Sequence, residues 1–153
     1  MFLFGIFFFA PKKKYIKKII IFKIEVIDLE ETIILSKMPH TWIFDIDGTL
    51  VKHNGYRTSE GDTLLDGVKE FLASIPEHDM IILITARPTE YRAITEKFLS
   101  ENNIRYNHII FDAPVGERIL INDNKPSGLK TAYAIERTRD KWDKLTLIEK
   151  DNV

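Results

Sequence analysis

The sequence predicts an α/β domain built on a parallel sheet flanked by helices. Two observations predict it. Apolar runs of strand length alternate with segments whose apolar residues recur at helical spacing. Three of the runs also end in polar groups: Trp42-Ile43-Phe44 at Asp45, Met80-Ile81-Ile82-Leu83-Ile84 at Thr85, and Ile119-Leu120-Ile121 at Asn122-Asp123. Ligands of parallel α/β sheets bind beyond the carboxyl ends of the strands, so these three polar ends mark one candidate site.

A chain of 153 residues suits one ordinary domain, and an apolar fraction of 44% suffices for a core. The net charge of −1, with no basic stripe, ranks nucleic acid low as a partner and gives no hint of a membrane surface. The absence of cysteine excludes disulfides and thiolate metal sites and fits a reducing, cytoplasmic location. His40, His53, His78 and His108 lie far apart and lack zinc-ligand spacing. The sequence leaves homo-oligomerisation open.

Residues 1–37 differ in character from the rest. Met1 to Ala10 is almost wholly apolar and precedes Pro11 and Lys12-Lys13-Lys14, the reverse of a secretory signal. The run is about half the roughly 20 residues that span a bilayer, so no transmembrane span is expected. Tyr15 to Lys37 mixes lysines with Ile and Phe without a clean period. We expect an appended, poorly packed extension, translated from an upstream start, with a weak amphipathic membrane segment as the alternative. The domain proper is expected over 38–153, opening at Met38-Pro39.

Trp42 to Asp45 is the first core strand, and Gly48 turns the chain after it. Val51 to Thr63 is a polar, glycine-punctuated loop or small hairpin beside the acids, with Asn54-Gly55 as a tight turn. Asp62-Thr63 caps a helix through Leu65, Val68, Phe71, Leu72 and Ile75, ended by Pro76. Met80 to Ile84 reads as a buried parallel strand. A helix follows from Thr89 to Glu101, with Tyr91, Ile94, Phe98 and Leu99 inward and Asn102-Asn103 as its break. Asn107 to Phe111 and Arg118 to Ile121 are strands, Pro126 opens a helix to about Arg137, and Leu145 to Ile148 is a last short strand.

Two carboxylates brought together by the turn at Gly48 suit a hard divalent cation, or nucleophile and acid work on a phosphate ester. A calcium loop is the competing reading. It fails because the positions of its earlier acid and closing Glu hold Ile43 and Asn54. Asp45-Ile46-Asp47-Gly48-Thr49 resembles the Asp-x-Asp-Gly-Thr signature of the haloacid dehalogenase-like (HAD) phosphohydrolases, and the Thr85 and Asp123 segments match in order. The resemblance covers residues 42 to about 137. It implies a three-layer, Rossmann-like (HAD-type) parallel sheet with helices on both faces, a small flap and no large cap.

The resemblance further implies a Mg²⁺-dependent phosphomonoesterase. Asp45 would attack phosphorus and Asp47 would serve as acid and base. Mg²⁺ would be held by Asp45, Asp47 (through its backbone carbonyl) and Asp123. Thr85, Ala86 and Arg87 would bind a phosphate oxygen at a helix N-terminus. The family's cationic residue has no counterpart at Ala113-Pro114. Arg118 is the first candidate to replace it, and Lys125 and Arg87 are the others. The fourth motif also departs, with Asn122-Asp123 and then Ser127 where a further acid is usual.

The substrate this implies is a small phosphorylated metabolite such as a sugar phosphate or nucleotide. Two alternatives stand beside it: a non-catalytic phosphate- or partner-binding module, motivated by the departures, and a polynucleotide end phosphatase, on the likeness of Thr85-Ala86-Arg87 to that group.

Overall fold

A computed structural model describes residues 31–151. It is an α/β fold with two parallel sheets. Strands β2 (Thr41–Asp45), β3 (Met80–Ile84) and β4 (His108–Ile110) form one sheet in the order β2-β3-β4. Strand β1 (Glu31–Ser36) pairs in parallel with β5 (Leu145–Lys150) to form the other. Helices α1 (Val68–Ser74) and α2 (Arg92–Glu101) are the connections of the first sheet.

Strand β3 matches its expected span because five consecutive apolar residues leave a strand no polar side to expose. Ile81 and Leu83 are fully buried and join Val68, Leu72 and Ile75 of the α1 region and Leu99 of α2 in one core cluster. Trp42 and Phe44 of β2 and Ile109 of β4 pack against it. The other face of the same strands carries Ile43, Met80 and Ile110, which are 54%, 40% and 48% exposed. Both helices therefore feed one face of the sheet, and no helix covers the other among the described residues.

Helix α1 is shorter than the sequence predicts. Gly67, at φ 87°, precedes it, so the expected turn from Leu65 does not form and Asp62-Thr63 do not cap it. At the other end Ile75 is extended (φ −69°, ψ 125°), as the clash with the Pro76 ring dictates. Arg105 donates to the carbonyls of Ile75, Pro76 and Asp79, a cation where the helix leaves its acceptors unpaired. Helix α2 follows a one-turn 3-10 segment, Thr89–Tyr91, and ends at Asn102 with Asn103 left-handed. Thr95 rather than Ile94 turns inward with Leu99; Ile94 is exposed.

Three expectations for the flanks change. The extension expected over 1–37 does not stop short of the fold, because residues 31–36 are a strand paired in register with β5. Residues 1–30, where the amphipathic reading falls, lie outside the described residues. Residues 118–121 and 126–137 form neither strand nor helix. Gly128 at φ 85° breaks the helical path. Asn122 donates to the Thr131 carbonyl and Thr131 to the Asp123 carbonyl, closing the stretch as a loop. No helix among the described residues is long and apolar enough to cross a membrane.

Candidate functional site

The loop after β2 is wound by its own backbone. The N–H groups of Leu50 and Val51 both bond to the Ile46 carbonyl, and Gly48 N–H bonds back to Val51. Gly48 sits at φ 80°, and a Cβ there would lie 2.8 Å from Arg139 Cγ. Such a position requires glycine. The turn brings Asp47 close enough to Asp45 for their charges to repel.

Asp45 stands at the carboxyl end of β2, its side chain 39% exposed. Thr49 Oγ1 donates to its Oδ2 at 3.2 Å. Partial burial raises its pKa, the Asp47 charge adds to the effect, and Thr49, Arg118 and the Ile46 N–H oppose it. Arg118 Nη1 donates to the carbonyls of Pro114 (2.6 Å) and Gly116 (2.8 Å). This curls the loop so that Nη2 lies 4.0 Å from Asp45 Oδ1. Arg118 thus faces the first acid.

Behind Asp45 the arrangement is closed. Arg87 is fully buried, and all five of its N–H donors are engaged. Nε and Nη2 hold Asp47 at 2.7 and 2.9 Å, Nη1 and Nη2 hold Asp62 at 2.6 and 2.8 Å, and Nη1 also donates to Thr95 Oγ1 at 3.0 Å. Burial works against the charged guanidinium; the bonds to Asp47 and Asp62 more than offset it and push its pKa up. The Tyr56 ring lies over the same group, 4.3 Å from centroid to Cζ. Thr85 is buried as well: its hydroxyl donates to Asp47 at 3.3 Å and accepts from the Arg87 N–H.

These contacts revise the phosphate-binding set. As placed, Arg87 and the Thr85 hydroxyl serve Asp47 and have no donor left for a phosphate. Ala86 is exposed, and no hydrogen bond engages its N–H among the described residues. Lys125 bonds to Asp123 at 2.7 Å on the exposed loop, which holds that acid's pKa low.

A Mg²⁺ site needs several oxygen ligands in one place. Among the described residues no three acidic or imidazole side chains come together as a metal group. Asp123, paired with Lys125 on the exposed loop, is not gathered with Asp45 and Asp47. The residues as arranged do not fit a Mg²⁺ cage.

The sequence reading missed Asp62, Thr95 and Tyr56. The available signal was Arg87 itself, since an arginine directly after a buried strand demands carboxylate partners. Asp62, in the loop over the acids, was the acid within reach. Compared with protein-family models, with curated proteins and with solved structures, the chain matches none of them.

Proposed function

We propose that the chain hydrolyses phosphate monoesters through an aspartyl-phosphate on Asp45. One observation carries the reading: a half-exposed carboxylate at a strand end, with the Arg118 guanidinium 4.0 Å from one oxygen and a second acid held beside it. A carboxylate oxygen of Asp45 attacks phosphorus, and the bond to the leaving oxygen breaks. That oxygen takes a proton from solvent, and the Asp47 carboxylate, held by Arg87, takes one from the water that cleaves the acyl phosphate and returns it to solvent. Arg118, with the Ala86 N–H, offsets the charge that builds on the phosphoryl oxygens. The open face beside Asp45 suits a small phosphorylated metabolite.

The finer architecture we propose is the three-layer, HAD-type one. The uncovered second face of the sheet, where Ile43, Met80 and Ile110 are exposed, supports a further helix layer there. A Mg²⁺ requirement is not part of this proposal, because Asp123 is not gathered with Asp45 and Asp47. No step above runs through the ion.

A second reading, a binding module without turnover, is favoured by the separation of Asp123 from the other acids. Release of p-nitrophenol from p-nitrophenyl phosphate, with and without Mg²⁺ and EDTA, tests both. Turnover lost in Asp45→Asn supports the hydrolase. No turnover in either condition overturns it and leaves the binding module.

A further inference from the structure

We propose that Asp62 is a positioning residue: by gripping Arg87 it fixes the orientation in which the Asp47 carboxylate stands beside Asp45. The kinetic part of the inference rests on the phosphate-ester reading above.

The argument starts from the guanidinium. Arg87 presents one edge, Nε and Nη2, to Asp47 and the adjoining edge, Nη1 and Nη2, to Asp62. A planar fork held on both edges cannot rotate without breaking charge-assisted bonds on each. Its stem is held too, because Arg87 N–H bonds to Thr85 and its carbonyl accepts from Asp112. Asp62 is itself anchored. Its side chain is only 4% exposed, and the residues that follow it are tied down. Lys52 N–H bonds to the Thr63 carbonyl, Leu65 N–H to the Leu50 carbonyl, and Val51 bridges Leu64. A Cβ on Gly55 would meet the Gly61 carbonyl at 2.9 Å and Asp62 Oδ1 at 3.1 Å, so the loop is packed against the acid that it carries.

Without Asp62 the geometry cannot persist. Two buried N–H donors would lose their acceptor, and a guanidinium in that state turns to recover partners. Asp47 takes two of its three bonds from Arg87, so the carboxylate turns with it. Arg87 and Asp62 are buried away from the open face, and the carboxylate that Arg87 presents toward Asp45 is that of Asp47. The charge count agrees with a positioning role. One guanidinium would be neutralised by a single carboxylate, and the site holds two.

The test compares wild type, Asp62→Asn, Asp62→Glu, Asp47→Asn and the double variant Asp47→Asn/Asp62→Asn on p-nitrophenyl phosphate. Asp62→Asn should lower kcat by about 10- to 100-fold with KM unchanged, in the range found when a residue supporting a site is removed. Asp62→Glu should recover most of the loss, and Asp62→Asn should cost nothing further once Asp47 is already Asn. A wild-type kcat in Asp62→Asn, an effect on KM alone, or the full loss repeated in the Asp47→Asn background overturns the proposal. If Asp62→Asn does not fold, Thr95→Val removes a lesser grip on Nη1 and should lower kcat in the same direction; an unchanged kcat there overturns it equally. If wild type itself shows no turnover, the phosphate-ester reading fails. The ¹³Cγ resonance of Asp47 at neutral pH then decides the positioning role. Asp62→Asn should displace it and Asp62→Glu restore it, and an unmoved resonance sinks the idea.

Discussion

The indole Nε1–H of Trp42, in β2, donates at 2.9 Å to the carboxylate of Asp79, the residue just before β3. The same carboxylate accepts from the His40 N–H at 2.8 Å and faces the His40 ring at 3.2 Å. It therefore fastens the entry of two adjacent strands. Asp79→Ala leaves a partly buried indole N–H and a backbone N–H without an acceptor. We expect a loss of about 3 kcal/mol of stability, read from urea unfolding at neutral pH.

Acid should release that fastening. Burial alone would raise the pKa of Asp79, but the His40 N–H, the indole and the His40 ring outweigh it and hold the value low. A lowered folded pKa contributes stability that is complete above the unfolded value of about 3.9 and is lost as pH falls through the folded one. Wild type should thus lose stability more steeply than Asp79→Ala below about pH 4. Parallel acid-unfolding curves for the two proteins would refute this.

Asp45 behaves in the opposite sense. Its pKa is raised by burial and by Asp47, so its ionisation costs the folded state stability above the folded value, and protonation relieves that cost as pH falls. Asp45→Asn should abolish turnover and raise stability at neutral pH by about 0.5 kcal/mol, small because the partly exposed carboxylate is screened by solvent. Thermal melts and p-nitrophenyl phosphate kinetics on one preparation check both effects.

Arg118→Ala should lower kcat by about 30- to 1000-fold, roughly 2–4 kcal/mol, since the guanidinium facing Asp45 gains most as charge builds on phosphorus. Lys125→Ala should leave kcat near wild type, because its ammonium is spent on Asp123 at the surface. A collapse in Lys125→Ala with normal Arg118→Ala kinetics would show that the wrong cation was chosen.

Arg87→Met should damage the fold before the chemistry. It leaves Asp47 and Asp62 with no counter-ion between them, a change of the kind that costs about 3–5 kcal/mol. Differential scanning calorimetry should show a large drop in Tm, and an unchanged Tm would contradict the buried network.

Much of the central sheet was legible. Met80–Ile84 and the helix ending at Asn102 follow from apolar runs and spacing that no tertiary contact overrides. Asp45 was legible because an apolar strand ends at it, whereas Arg118 was singled out through the family resemblance and reaches Asp45 from a loop, not from the strand expected at 118–121. The Asp62 role was not legible, since an acid in a polar loop reads equally as a helix cap, and the left-handed Gly67 that disqualifies it leaves no trace in periodicity. Residues 118–137 misled for a related reason. Ile119-Leu120-Ile121 has strand composition, but a strand requires a partner edge as well as a pattern.

The pairing of β1 with β5 sets an order of events during folding. Glu31 lies opposite Leu145 and Ser36 opposite Lys150, so one partner strand precedes the whole β2-β3-β4 sheet in the chain and the other follows it. The loop that must close to form this pair encloses both helices and every residue of the candidate site. Loop-closure entropy and the slow growth of non-local contacts place it after the compact centre has formed. During synthesis β1 emerges early and waits for β5, exposing an unpaired strand edge in the interval. In the finished protein the two-stranded sheet is then the unit expected to open first, with amide exchange there outpacing exchange at Ile81 and Leu83.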